Sequence, residues 1–239
     1  MESYQAVFLR YEEKYLLGRS RCEALARELA RRTDGDPFAW HTVSNLYFDT
    51  DCYDIIRASV ARPAYKEKLR LRSYGVPGPR DPVFLELKKK CRGLVSKRRE
   101  RMTLDAARAF MRGELPATGQ VLRELDWFQR RYRSAPRVFI AYERAAVSGR
   151  EEPDLRVTFD RGLRFRETCL DLAQGTWGTP LLVDDVVLME IKVAHAMPAW
   201  LARLLSEQCV YPVSFSKYGF CYQSFIARRT SQKGGFACA

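Results

Sequence analysis

Histidine is almost missing from this chain: His41 and His195 are the only two among 239 residues. A zinc site, which draws on His and Cys, is therefore not expected, and each imidazole reads as a surface or packing residue. Cysteine occurs seven times, but the count is odd and no pair has the CxxC spacing. With no secretory leader legible at the start, this favours reduced thiols in the cytoplasm over a disulfide framework. Long apolar runs are missing as well; none approaches the roughly 20 residues of a membrane-spanning helix. Acidic residues are in deficit, with 29 Asp and Glu against 41 Lys and Arg, a formal charge of +12. Such an excess points to a polyanionic partner such as nucleic acid, anionic lipid, nucleotide or polyphosphate. What is plentiful is apolar surface: 46% of residues are hydrophobic and 12% aromatic, which excludes a disordered chain and suits one large all-β or α+β domain.

The positive charge follows a pattern. Lys68-Leu69-Arg70-Leu71-Arg72 and, beyond a Gly/Pro turn, Phe84-Leu85-Glu86-Leu87-Lys88-Lys89-Lys90 carry charge at every second position. Strand side chains alternate faces, so Lys68, Arg70 and Arg72 share one face and Glu86, Lys88 and Lys90 share one face of the next strand. The leucines point the other way. Like charges on adjacent strands repel, so the charged face is either solvated or lines a cavity whose anionic ligand supplies the missing negative charge.

Other strands repeat the pattern and decide between these readings. Residues 6–17 place Arg10, Glu12 and Lys14 together; 93–102 place Lys97, Arg99 and Arg101; 137–147 place Tyr142 and Arg144. Residues 155–160 join Arg156, Thr158 and Asp160, and 181–193 join Glu190 and Lys192 on a run of Val, Leu, Met and Ile. Residues 43–50 form a further strand. An open sheet would need all these charged faces on its water side. A closed or nearly closed barrel accommodates them inside, with the apolar faces packed outward against helices.

The helices are expected to frame that barrel. Ser20 and Glu23 form a capping box for a helix with Cys22, Leu25, Ala26 and Leu29 as its apolar stripe. Thr103 caps a helix running to Arg112, and another runs from Thr118 to Tyr132 over Val121, Leu122, Leu125 and Phe128. On the latter, Arg123, Arg130 and Arg131, with Arg133 just beyond, read as a solvated face. Pro198 starts a last helix to Glu207 through Trp200, Leu201, Leu204 and Leu205, and residues 53–62 read as a connection. The expected organisation is one domain over 1–229 and a Gly/Ser/Lys-rich flexible tail over 230–239.

Arg10-Tyr11-Glu12-Glu13-Lys14-Tyr15, Tyr47-Phe48-Asp49, Lys68 to Gly75, Glu86-Leu87-Lys88, Lys97-Arg98-Arg99, Tyr142-Glu143-Arg144, Arg156 to Asp160, Glu190-Ile191-Lys192 and Ser216-Lys217-Tyr218 stand in an order. That order resembles the VTC domain, the polyphosphate polymerase module of the vacuolar transporter chaperone complex, within the CYTH-like triphosphate tunnel metalloenzymes. The resemblance runs over about residues 6–226. It implies an α+β fold, an eight-stranded antiparallel β tunnel with a charged interior flanked by helices, binding ATP and a growing polyphosphate chain with Mn²⁺ or Mg²⁺. It also implies that Lys14, Arg70, Arg72, Lys88, Lys97, Arg144, Arg156 and Lys217 are the catalytic, phosphate-handling residues. Arg10, Lys68, Lys90, Arg99 and Lys192 are expected as further substrate-binding positions, and Glu190, then Glu12, as metal ligands. The hydrolase branch opens with Glu-x-Glu-x-Lys, and here Arg10 replaces its first carboxylate.

The expected activity is ATP-dependent polyphosphate polymerisation, since phosphoryl transfer needs charge neutralisation and in-line positioning more than covalent chemistry. Arg clamps phosphate oxygens bidentately and Lys supplies point charge. The alternatives on the same fold are a tripolyphosphate or nucleoside-triphosphate hydrolase and a non-catalytic polyphosphate sensor. Nucleic acid is not expected as a partner, because the aromatics fall among core positions rather than among surface cations. The chain carries no membrane segment of its own, which leaves a membrane-protein partner as an open expectation.

Overall fold

The computed structural model of the protein describes residues 7–8, 11–92 and 94–232. Arg10 and tail residues 233–239 lie outside the described residues. In chain order the strands are β1 (Val7–Phe8), β2 (Tyr11–Gly18), β3 (Thr33–Asp34), β4 (His41–Asp49), β5 (Tyr65–Tyr74) and β6 (Pro82–Cys91). They continue with β7 (Leu94–Thr103), β8 (Ala135–Gly149), β9 (Arg156–Arg166), β10 (Thr179–Pro180) and β11 (Val186–Val193). The helices are α1 (Arg19–Ala30), α2 (Asp54–Val60), α3 (Leu104–Met111), α4 (Gly119–Tyr132), α5 (Ala199–Glu207), α6 (Lys217–Cys221) and α7 (Ala227–Gln232). A π-helical turn, Tyr222–Ile226, joins α6 to α7.

Eight of the strands are long, and all their pairings are antiparallel. The sheet order is β1-β7-β6-β5-β4-β8-β9-β11-β2. The hydrogen-bonded ladder does not close on itself, yet its two ends belong to neighbouring pieces of chain: Val7 pairs with Ser96 on β7, while Tyr11 pairs with Val193 on β11. The sheet therefore curls until its edges face one another.

The outward faces build the apolar core. Leu69 and Leu71 of β5 and Val83, Leu85 and Leu87 of β6 pack against Leu104, Ala107 and Phe110 of α3 and Leu125 and Phe128 of α4. Truncating one of these fully buried leucines to Ala costs about 2–5 kcal/mol. On the other side Tyr15, Val157, Phe159, Met189 and Ile191 pack against α1 and α5 through Cys22, Leu25, Ala26, Leu29, Leu201 and Leu205. The charged lining is confined to part of the inner surface. Val43, Tyr47, Val138, Ile140 and Tyr142 also face inward, and they are covered by Phe215, Tyr218 and Cys221 from the segment that enters α6.

A change of register sets the boundary between charged and apolar lining on β9. Pairing with β8 shifts between Ala141 and Glu143, opposite Gly162, whose φ of +59° suits glycine. Asp160 and, three residues on, Leu163 consequently face the same interior.

Several local expectations change. The Ser20 and Glu23 capping box is not formed: α1 begins at Arg19 with Gly18 as its N-cap, because β2 holds register with β11 as far as Gly18 and Arg19 N–H donates to Asp185 O. The connection at 53–62 contains α2, whose first turn is capped by Asp49 accepting from the Ile55 and Ile56 N–H groups at 2.9 and 3.0 Å. The strand expected over 181–193 starts only at Val186. Helix α7 extends to Gln232, so residues 230–232 are helical where a tail was expected. Cys22, Cys91, Cys169, Cys209 and Cys221 carry free thiols, whereas Cys52 is disulfide-bonded, an exception to the reduced thiols expected. Among the described residues no helix is long and apolar enough to cross a membrane.

Candidate active site in the tunnel

Cross-strand register assembles the charged lining in rows. Lys68, Lys88 and Lys97 are paired across β5, β6 and β7, with Arg70, Glu86 and Arg99 in the next row. On the facing wall Lys14 pairs with Glu190 and Glu190 with Thr158, beside a row of Glu12, Lys192 and Arg156.

Two ion clusters organise these residues. In the first, buried Glu86 takes four cations. Arg70 donates from Nε and Nη2 to Oε2 at 2.8 and 2.7 Å, Lys97 Nζ lies 2.7 Å and Arg99 Nε 2.8 Å from Oε1, and Arg72 Nε approaches to 3.9 Å. Arg72 is oriented by Asn45 Oδ1 at 2.9 Å. Burial opposes ionisation of Glu86, but Arg70, Arg72 and Lys97 outweigh it and hold the carboxyl far below its usual range. One carboxylate cannot compensate four cations. Burial accordingly brings Lys97 down to about 8 despite its contact with Glu86.

In the second cluster, Arg144 grips Asp160 through Nε and Nη2 at 2.6 and 2.7 Å, and Lys217 bridges Asp160 at 2.6 Å and Glu190 at 2.8 Å. Lys14, whose Nζ donates to Phe215 O at 2.9 Å, lies 3.1 Å from Glu12 and 3.9 Å from Glu190. Lys88 reaches Glu12 from across the tunnel at 3.6 Å, tying β6 to β2. Burial works to raise the Glu12 pKa, but Lys88, Lys14 and Lys192 bring it down to about 2.

Lys68 belongs to neither cluster. Its Nζ donates to Ser216 Oγ at 2.9 Å, and the charges around it are Lys88, Lys14, Lys66 and Arg70. Burial first, then these cations, lower its pKa to about 7. Lys90 and Arg156 likewise have no ion-pair partner among the described residues; both are exposed, and Arg156 lies opposite Lys192, away from Arg70 and Arg72.

The sequence reading grouped residues by strand face, and the structure adds their partners. Lys14, Lys68, Arg70, Arg72, Lys88, Lys97, Arg99, Lys192 and Glu12 stand on the inward faces of their strands, with Arg70, Arg72, Lys97 and Arg99 gathered on Glu86 and Arg144 and Lys217 on Asp160 and Glu190. Glu86, Asp160, Asn45 and Ser216 were not singled out as site residues. Their inward parity was legible, but their pairing depends on contacts up to 148 residues apart in the chain.

A metal's fit can be judged from the oxygens present. Glu12 and Glu190 stand on paired strands, both held ionised by neighbouring cations, although among the described residues no group of three or more His, Cys, Asp or Glu gathers. Beside Glu190, the buried Thr158 hydroxyl has no hydrogen-bond partner among the described residues. Two carboxylates and an orphan hydroxyl suit a hard dication that keeps water and phosphate oxygens as its remaining ligands.

A curled antiparallel sheet with cations lining its interior defines the triphosphate tunnel fold. A candidate adenylate cyclase from Bacillus halodurans shares it, with a TM-score of 0.59 and 15% identity over 92% of this chain and 99% of that one. A candidate adenylyl cyclase from Hippeastrum, described as having a dominant triphosphatase activity, aligns with a TM-score of 0.47 and 16% identity over 89% and 94%. Among curated proteins none matches. Residues 9–226 match the VTC domain, and the chain belongs to that family.

Proposed function

We propose that the protein is an ATP-dependent polyphosphate polymerase. A terminal oxygen of a polyphosphate chain attacks the γ-phosphorus of ATP, the bond between that phosphorus and the β,γ-bridging oxygen breaks, ADP leaves, and the chain is longer by one phosphate. The attacking oxygen is already ionised, so no general base is required. Lys68 carries the reading: a half-buried ammonium whose nearest charged neighbours are four other cations is costly unless an anion completes it. The Glu86 cluster makes the same demand, with four cations around a single carboxylate.

Arg70, Arg72, Lys97 and Arg99 would clamp the triphosphate, and Lys14, Lys68 and Lys88 the acceptor chain. Arg144 and Lys217 act through Asp160 and Glu190, setting the geometry of the opposite wall. A Mn²⁺ or Mg²⁺ ion would be held by Glu12 and Glu190 and supply additional charge stabilisation of the transferring phosphoryl group. The surrounding lysines disfavour a bare dication, so its affinity depends on the phosphate oxygens that arrive with it.

Incubation with ATP and Mn²⁺ should yield ADP and chains resolvable on a gel, with added short polyphosphate acting as primer. Accumulation of orthophosphate alone, with tripolyphosphate consumed faster than ATP, would select the hydrolase instead, and tight polyphosphate binding without turnover would select the sensor.

A further inference from the structure

The lining changes character along the tunnel axis. Inward positions on β5 run Lys66, Lys68, Arg70, Arg72, Tyr74, and β6 follows them in register, Lys90 beside Lys66, Lys88 beside Lys68 and Phe84 beside Arg72. Lysine gives way to arginine, and arginine to aromatic rings. At the aromatic end Tyr74 and Phe84 meet edge to face with centroids 5.8 Å apart, and the His41 ring lies 6.0 Å from Tyr74. The Arg99 guanidinium sits 4.1 Å over Phe84 and donates to the Tyr74 hydroxyl at 3.4 Å.

Tyr74 is 51% exposed, although it stands on the inward face of its strand. Packing does not need it there. An inorganic polyphosphate has no group to place against an aromatic ring, whereas a nucleobase stacks on one and gains further from an adjacent guanidinium. From Tyr74 to Arg70 is four residues of strand, about 13 Å, a span suited to an extended nucleoside triphosphate.

We propose that Tyr74, Phe84 and His41 form a nucleobase subsite at this mouth of the tunnel. It sets the direction of the substrate, with the base on the aromatic rings, the phosphates on Arg70 and Arg72, and the lysine end left for the acceptor chain. The acceptor part of this assignment rests on the polymerase reading; the base subsite itself is tested by binding alone.

The test compares equilibrium binding of ATP and of inorganic tripolyphosphate to the wild type, Tyr74→Ala and Tyr74→Phe. Tyr74→Ala is expected to weaken ATP about tenfold, the loss of one stacked base, with tripolyphosphate unchanged within about twofold. Tyr74→Phe should restore ATP, because it keeps the ring. Equal losses for both ligands, or no loss for ATP, overturn the subsite. Gel-resolved chains from an enzyme whose ATP affinity ignores Tyr74→Ala would remove the subsite and leave the polymerase. An ATP-specific loss in a protein that releases only orthophosphate would do the reverse.

Discussion

The two carboxylate-centred clusters of the tunnel are built from similar groups and are in opposite electrostatic states. Around Asp160 and Glu190, two carboxylates meet Arg144 and Lys217 at close range, and all four side chains are buried. Around Glu86, a single carboxylate meets Arg70, Lys97 and Arg99 within 2.8 Å, with Arg72 just beyond. In the first, each carboxylate is matched by a close buried cation, with Lys192 and Lys14 further out at 3.8 and 3.9 Å from Glu190; in the second, one carboxylate alone answers four cations. Under the proposed function, the difference separates a cluster held mainly by its own ion pairs from one that an anion would complete.

The largest expected effect comes from removing each centre. Glu86→Gln and Asp160→Asn should each destabilise the empty protein by about 3–5 kcal/mol, the usual result of breaking a buried ion pair from one side. Saturating tripolyphosphate should rescue Glu86→Gln, because the ligand supplies the lost charge, and leave Asp160→Asn largely unrescued. Thermal melts with and without tripolyphosphate measure this; equal rescue of both variants would erase the distinction drawn here.

A smaller effect, of opposite sign, is expected at Lys68. Replacing this unpaired ammonium by Met should stabilise the empty protein by about 1–2 kcal/mol while weakening tripolyphosphate roughly tenfold, the loss of one charge-assisted hydrogen bond. The same residue gives a pH dependence. Lys68 titrates near 7 and Lys97 near 8 in the folded protein, both below the ordinary lysine value of 10.5. Between those pH values and 10.5 the unfolded chain binds more protons, so stability of the empty protein rises with pH over that window, and the penalty is fully present below it. Tripolyphosphate affinity should fall over the same window as the two ammonium groups deprotonate. Lys68→Met should flatten both curves, and unchanged slopes would assign the titration elsewhere.

The smallest effect tests whether basic charge matters outside the tunnel. Arg130, on the exposed face of α4, pairs with Asp126 at 2.9 Å. Arg130→Ala should change stability by less than about 0.5 kcal/mol and leave tripolyphosphate binding intact. A loss comparable to that of Lys68→Met would show that net charge, rather than the tunnel lining, attracts the anion.

How much of this was legible in the sequence depends on the range of the interaction. The alternation in Lys68 to Arg72 and in Glu86 to Lys90 could be read directly, because strand parity is local. So could Thr103 as a cap, which accepts from Ala106 N–H as expected. Helix α2 was not legible: it has seven residues, and its start is fixed by Asp49, the last residue of β4. The family resemblance likewise placed Arg144 and Lys217 near phosphate without revealing that Asp160 claims both. Nor did any pattern announce that the segment around Phe215 and Tyr218 turns inward, since an apolar helix with one buried face looks the same on either side of a sheet.

The pairing of Val7 and Phe8 with β7, and of Tyr11 to Gly18 with β11, bears on how the molecule forms. The two edges of the curled sheet are brought face to face by a clasp made of the start of the chain, whose two catches lie near residues 95–96 and 186–193. The pairing of Tyr11 to Gly18 with Val186 to Val193 is the most distant along the chain of the strand pairings described, and contacts of that kind are among the slowest to be made during folding. Until they form, the lysines and arginines of the lining are on an open sheet, spread in water and mutually screened. Closing the clasp is therefore the step that concentrates the charge, and a polyanion present at that moment should hasten it.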